Sequence, residues 1–98
     1  MCFGRKKTLD GLSPIAKLVL TESLDLVIAQ GVGKQYKGLR QAVGDNKLTG
    51  KQVRECGAFI KWYRELVSSQ PNLAEAYGSA NYKAVLGAMD EIEKFSKS

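Results

Sequence analysis

The sequence predicts an all-α fold, a compact bundle of four to five short helices in a single domain spanning residues 1–98. Three observations support this prediction. Proline occurs only twice in 98 residues, so little of the chain is barred from helical conformation. Apolar residues recur at three- and four-residue intervals, which is the spacing of one helix face. The apolar fraction of 44% suits one modest core, and the chain is too short for a second core.

The first helix is predicted over residues 15–30. Ser13 supplies a capping hydroxyl, and Pro14 suits the first helical position because its missing N–H has no helical partner there. Gly31 and Gly33 end the helix. The alternative is a pair of strands, IAKLVLT and LDLVIAQ, since Leu, Val and Ile suit either state. We favour the helix for its length, its cap and the lack of a turn signal between the two segments.

Two further helices are predicted in the middle of the chain. The first covers residues 34–43 and ends at the Gly-Asp-Asn of residues 44–46. The second begins after Thr49 and runs to about residue 67, because Thr49 and Gln52 have the spacing of a capping box. Its apolar face is formed by Val53, Cys56, Ile60, Tyr63 and Val67.

The C-terminal part of the chain predicts further helix from residue 73. Asn72 and Glu75 repeat the cap spacing, and a clean amphipathic pattern runs from Tyr82 to Phe95. The Gly-Ser-Ala-Asn of residues 78–81 could interrupt it. The sequence leaves open whether this part is one bent helix or two.

The net charge of +5 is concentrated in the middle third. Residues 34–64 hold eight basic and two acidic residues, a net of +6, whereas residues 65–98 carry a net of −2. Such a block attracts phosphates or an acidic partner, and the alternative is a solvated helix face. Residues 1–12 are expected to form a flexible basic N-terminal arm.

The residue inventory argues against an enzyme. There is no histidine, which removes the commonest general base and the commonest transition-metal ligand. Two isolated cysteines, Cys2 and Cys56, give neither a zinc site nor a disulfide framework. We therefore expect no metal or other cofactor, no membrane span and a reducing, cytoplasmic setting.

The expected function is non-enzymatic binding of another protein with an acidic surface, as a small adaptor, regulator or inhibitor. Contacts would come from the basic helical hairpin of residues 34–67. Lys51 with Glu55 and Lys61 with Glu65 are spaced to pair along one helix, which leaves other cations without a local acid. The candidate partner-binding residues are Arg40, Arg54, Trp62 and Arg64.

Trp62 has two interpretations. It falls at the margin of the apolar face, beside Lys51, Glu55 and Ala58 on a helical projection. A tryptophan there covers the core as a lid, or it anchors a partner. The sequence does not decide between them.

The alternative function is nucleic-acid binding. Residues 34–43, the turn GDNKL and the helix from Gly50 resemble a helix-turn-helix in outline. The resemblance covers about a quarter of the chain and implies base-reading positions at Thr49, Gly50, Lys51, Gln52, Arg54 and Glu55. The candidate nucleic-acid-binding residues are Lys34, Lys37, Arg40, Lys51 and Arg54.

Overall fold

The computed structural model describes residues 7–70, 72 and 79–97. Within them lie four α-helices and a short 3-10 turn at Lys34–Tyr36. The helices are α1 (Pro14–Ala29), α2 (Lys37–Asp45), α3 (Gly50–Ser69) and α4 (Ser79–Lys97). The all-α prediction is confirmed. The predicted helix start at residue 73 and the possible interruption at residues 78–81 fall mainly on residues 73–78, which lie outside the described residues.

The helix ends follow local sequence signals. The Ser13 hydroxyl accepts the Ala16 N–H at 3.3 Å, and Pro14 occupies the first helical position of α1. Beyond the helix, Gly31 adopts a left-handed φ of 78°, which glycine tolerates without steric cost. The helix prediction for this segment is confirmed against the pair of strands.

The capping box that opens α3 is also present. The Thr49 N–H donates to Gln52 Oε1 at 2.9 Å, and the Gln52 N–H donates to Thr49 Oγ1 at 3.1 Å. Each residue thereby satisfies a backbone donor that the helix leaves unpaired. The start of α3 is fixed by its own sequence.

The second predicted helix differs from the structure at both ends. Its first three residues form the 3-10 turn, and α2 continues past Gly44 to Asp45. Asn46 ends it by adopting a left-handed φ of 56°, with its N–H directed to the carbonyls of Ala42 and Val43. Asparagine is the residue after glycine that best tolerates this conformation, so the helix ends at the last residue of the predicted Gly-Asp-Asn stop and not at Gly44.

A single core lies between the helices. The most extensive contact is between α3 and α4, and α4 also packs along α1 while α2 lies across α1 and α3. The largest fully buried side chains include Tyr63, Phe59, Leu20, Leu24 and Ile60. The apolar face predicted for α3 is entirely buried, so its role is packing.

The segment before α1 is attached to the bundle from residue 7 onward. The N–H of Lys7 donates to the Leu48 carbonyl at 2.6 Å, and the Leu48 N–H donates back at 2.8 Å. The Leu9 N–H donates to Asn46 Oδ1 at 2.6 Å. Leu9 and Leu12 are 3% and 5% exposed. In its described part, the arm expected over residues 1–12 is thus attached to the α2–α3 turn by hydrogen bonds, and its two leucines are buried in the core.

Candidate functional site

Two of the candidate arginines form ion pairs with other helices. Arg40 Nε lies 2.7 Å from Asp25 Oδ1 on α1. Arg64 Nη2 lies 2.7 Å from Asp90 Oδ1 and 3.0 Å from Glu93 Oε2, both on α4. Their charges therefore hold helices of the bundle together and are largely compensated within the chain.

Trp62 packs in an aromatic cluster. Its ring centroid lies 6.0 Å from that of Tyr36 and 6.1 Å from that of Phe59. Tyr36 and Phe59 meet edge-on at 4.8 Å, and Phe59 also stacks on Tyr63 at 5.9 Å. Trp62 is half-buried and covers the core at this edge. It has the position of a lid, with part of the indole still open to solvent.

The four candidate partner-binding residues do not share one face. Trp62 and Arg64 are two residues apart, about 200° of rotation on a helix, so they point to nearly opposite sides of α3. Arg40 is directed to α1. Arg54 is exposed near the start of α3 and forms no ion pair within the described part of the chain. Of the four, Arg54 has the charge most available to a partner.

The candidate nucleic-acid residues fall into two groups. Lys34 and Lys37 lie at the start of α2, whereas Lys51 and Arg54 follow its end, with a nine-residue helix of about 13 Å between them. Arg40 is paired with Asp25. The side chains of Thr49 and Gln52, which the helix-turn-helix resemblance places at base-reading positions, are engaged in the capping box.

The predicted pairs along α3 are not formed. Among the described residues, the ion pairs are those of Arg40 and Arg64, and neither Lys51 with Glu55 nor Lys61 with Glu65 is one of them. The charge of Lys51, three residues before Arg54, is therefore not offset by a contact with Glu55. The start of α3 therefore has more unpaired positive charge than the predicted pairing of Lys51 with Glu55 implied.

A cavity of about 420 Å³ opens at this end of α3. Three cationic side chains from distant parts of the chain line it, those of Lys7, Arg54 and Lys97. We call this cavity the basic pocket. Its described lining, which holds no acidic residue, is Lys7, Gly50, Val53, Arg54, Ser96 and Lys97. Sequence reasoning missed Lys7 and Lys97 because neither belongs to the basic middle third.

Each cation of the basic pocket is positioned by a different contact. The paired backbone hydrogen bonds to Leu48 hold Lys7 beside the α2–α3 turn. Arg54 follows one turn after the capped start of α3. Lys97 ends α4, and the close approach of Gly57 to Ser96 brings that end against α3, since a methyl at Gly57 would overlap the Ser96 side chain. The fold therefore brings these three basic residues to the lining of one cavity.

Cys56 lies in the core of the described chain. Burial raises the pKa of the Cys56 thiol to about 12, with Glu55 adding to the effect, so this cysteine is an inert core residue. No group of three or more potential metal ligands occurs among the described residues. A second, apolar cavity of about 250 Å³ lies between α1 and α4, beside the exposed Ile15 and Leu18.

The described helices include none that is both long and apolar enough to cross a bilayer. No protein-family model matches the chain, and neither curated proteins nor solved structures give a match. A function for this chain is therefore inferred from the geometry and charge of the molecule itself.

Proposed function

We propose that the protein is a non-enzymatic binding module that recognises an acidic surface of a partner protein, with the basic pocket and the adjoining start of α3 as its contact. It would act as a small adaptor, regulator or inhibitor. The observation that carries this proposal is the convergence of Lys7, Arg54 and Lys97 on one cavity with no acidic side chain in the described lining.

Like charges that lie close together without counterions repel each other and destabilise the folded protein, and a bound partner of opposite charge relieves this repulsion. Among the described residues, Glu93 forms an ion pair with Arg64 and Glu55 forms none, so neither of these acids is paired with a cation of the pocket. A partner carrying acidic side chains would supply the missing counterions. Electrostatic complementarity of this kind accelerates association and selects among partners.

A protein is favoured over a nucleic acid as the partner because the three basic residues of the pocket line a concave site. They do not form a continuous basic stripe along the surface with the other candidate cations. Lys34 and Lys37 lie at the other end of α2, and Arg40 is compensated by Asp25. A cavity lined from three sides suits a single protruding acidic group of a partner.

Affinity capture with immobilised protein tests the proposal. Arg54→Glu should lose its specific partner or weaken binding by about tenfold or more, because it places a carboxylate among the remaining cations. Lys83→Glu is the matched control, since Lys83 is exposed and lies near the opposite end of α4. Its captured partner should be unchanged.

The salt dependence separates protein from nucleic acid. Nuclease-treated lysate should give the same partner, and raising the salt from about 50 to 300 mM should weaken the complex. Capture of the same proteins by wild type and Arg54→Glu would contradict the choice of site. Tight binding of mixed-sequence DNA or RNA, with a log–log salt slope of several units, would support the nucleic-acid alternative instead.

A further inference from the structure

We propose that the basic pocket takes a phosphate monoester carried on a side chain of the partner, that is, a phosphoserine or phosphothreonine residue. This inference rests on the proposed function and names the group that enters the site. It follows from the number of cations, the kinds of donor they carry and the shape of the cavity.

The charge of the pocket matches a dianion better than a single carboxylate. Lys7, Arg54 and Lys97 supply three positive charges, and the described lining supplies no negative one. A phosphate monoester carries about −1.5 to −2 charges at pH 7 and three strong acceptor oxygens. A glutamate or aspartate side chain offers one charge and two oxygens, so it would leave most of the pocket charge uncompensated.

The donors also fit a tetrahedral oxyanion approached from several sides. The planar guanidinium of Arg54 can donate two parallel hydrogen bonds to two phosphate oxygens. A Cβ added at Gly50 would lie 3.8 Å from Arg54 Nη1, so this guanidinium extends along the first turn of α3, where no side chain intervenes. Lys7, from the N-terminal segment, and Lys97, from the end of α4, also line the cavity and add two positive charges that would offset the charge of the phosphate.

The size of the cavity favours a phosphate at the end of a side chain. At about 420 Å³ it lies within the range of roughly 300–1,000 Å³ typical of ligand sites, and it is larger than a phosphate group alone requires. A phosphorylated side chain with its neighbouring backbone would fill more of it than an inorganic ion. A nucleic acid presents evenly spaced phosphates, whereas the described cavity offers one anion position.

The test is a titration of ¹⁵N-labelled protein, in phosphate-free buffer, with five separate probes. They are a short phosphoserine peptide, the same peptide unphosphorylated, the same peptide with glutamate at that position, inorganic phosphate, and a single-stranded DNA of about 20 nucleotides. The phosphopeptide should give saturable shifts in amides of residues 7, 50–54 and 96–97. The glutamate peptide and inorganic phosphate should each bind about tenfold more weakly, because one lacks the second charge and the other lacks the peptide contacts.

Four variants make the titration specific. Arg54→Glu should abolish the phosphopeptide response, and Arg54→Lys should weaken it because the bidentate fork is lost. Lys83→Glu, the exposed control on α4, should respond as wild type. Lys7→Glu is a second pocket variant, and the amide spectrum of each variant away from the pocket reports that it is folded.

Several outcomes would overturn the inference. These are equal affinity for the phosphorylated and glutamate peptides, equal affinity for inorganic phosphate, a response unchanged by Arg54→Glu, or tighter binding of the DNA. If a protein partner binds through Arg54 and still binds after it has been treated with phosphatase, the phosphate inference is wrong and the proposed function stands. A partner that binds Arg54→Glu as tightly as wild type would contradict both the phosphate inference and the proposed function.

Discussion

Glu91 ties α4 to the residue that caps α1. Its Oε2 accepts the Ser13 N–H at 2.6 Å, and its Oε1 accepts the Ser13 hydroxyl at 2.7 Å. Both contacts need the ionised carboxylate as acceptor, and the backbone bond, followed by the hydroxyl bond, lowers the pKa of Glu91 from its ordinary value of 4.5. A lowered pKa in the folded state means that the contribution is present above pH 4.5 and is lost as the pH falls through the folded value.

We therefore expect Glu91→Gln to destabilise the protein near pH 7 and to make its stability less sensitive to acid. A neutral amide has an NH2 donor in place of one of the two carboxylate oxygens, so one of the two Ser13 donors loses its acceptor atom, and the amide has no charge to lose. Urea unfolding between about pH 3 and pH 7 measures this effect. Glu65→Gln, at an exposed position of α3, is the control. A constant difference between Glu91→Gln and wild type across this pH range would contradict the assignment.

Arg64 joins α3 to α4 through two carboxylates, with its side chain 32% exposed. Because the pairs are partly solvated, we expect Arg64→Ala to lower the free energy of unfolding by about 1 kcal/mol. Lys61→Ala is the matched control, since Lys61 is exposed on the same helix and forms no ion pair in the described chain. A double-mutant cycle with Asp90→Ala isolates the pair, and a coupling of zero would show that the contact contributes no stability.

At the scale of single helices, local sequence predicted local structure well. The capping box at Thr49 and Gln52 and the cap at Ser13 each join residues three positions apart, and each is present. The end of α2 was harder to predict, because Gly44 and Asn46 both suit a helix stop and the bond pattern around Asn46 decides between them. That pattern includes a hydrogen bond from Leu9, 37 residues away.

The crossing of α3 and α4 makes a further prediction. Gly57 faces Ser96 with no space for a methyl group, whereas a methyl at Gly87 would have no described residue within 4 Å apart from its chain neighbours and the backbone of its own helix. Gly57→Ala should therefore force the helices apart and destabilise the protein by about 1–3 kcal/mol. Gly87→Ala should stabilise it by about 0.5–1 kcal/mol, because alanine restricts the unfolded chain and suits a helix.

Thermal or urea unfolding of the two variants provides the measurement. Opposite signs for the same chemical change would show that the contact, rather than glycine as such, matters at residue 57. Equal stabilisation by both substitutions would show that a methyl group fits at residue 57, and would contradict the close α3–α4 contact described above.

In the whole molecule, folding decides which charged residues become neighbours. Arg40 and Arg64 look unpaired in the sequence, but their acids lie on other helices, 15 to 29 residues away. Lys7 and Lys97 look peripheral, yet both line the basic pocket with Arg54. These relationships depend on how helices pack, and a pattern of spacings within one helix contains no such information. Arg54 is the predicted site residue that is also part of the pocket.

The N-terminal segment has a larger part in this arrangement than its composition suggested. Leu9 and Leu12 bury their side chains in the core, and the backbone of Lys7 pairs with Leu48. One wall of the basic pocket therefore depends on a segment that sequence reasoning treated as a flexible arm. Its basic residue is held in place by apolar contacts two and five positions further along the chain.

Amide chemical-shift mapping of the labelled protein with its captured partner shows directly whether the partner binds at the basic pocket. We expect the largest changes on residues 7–9, 50–54 and 96–97, and we expect Arg54→Glu to remove them while Lys83→Glu does not. Changes centred on Tyr36 and Trp62, or on Ile15 and Leu18 beside the apolar cavity, with the basic pocket unaffected, would contradict it.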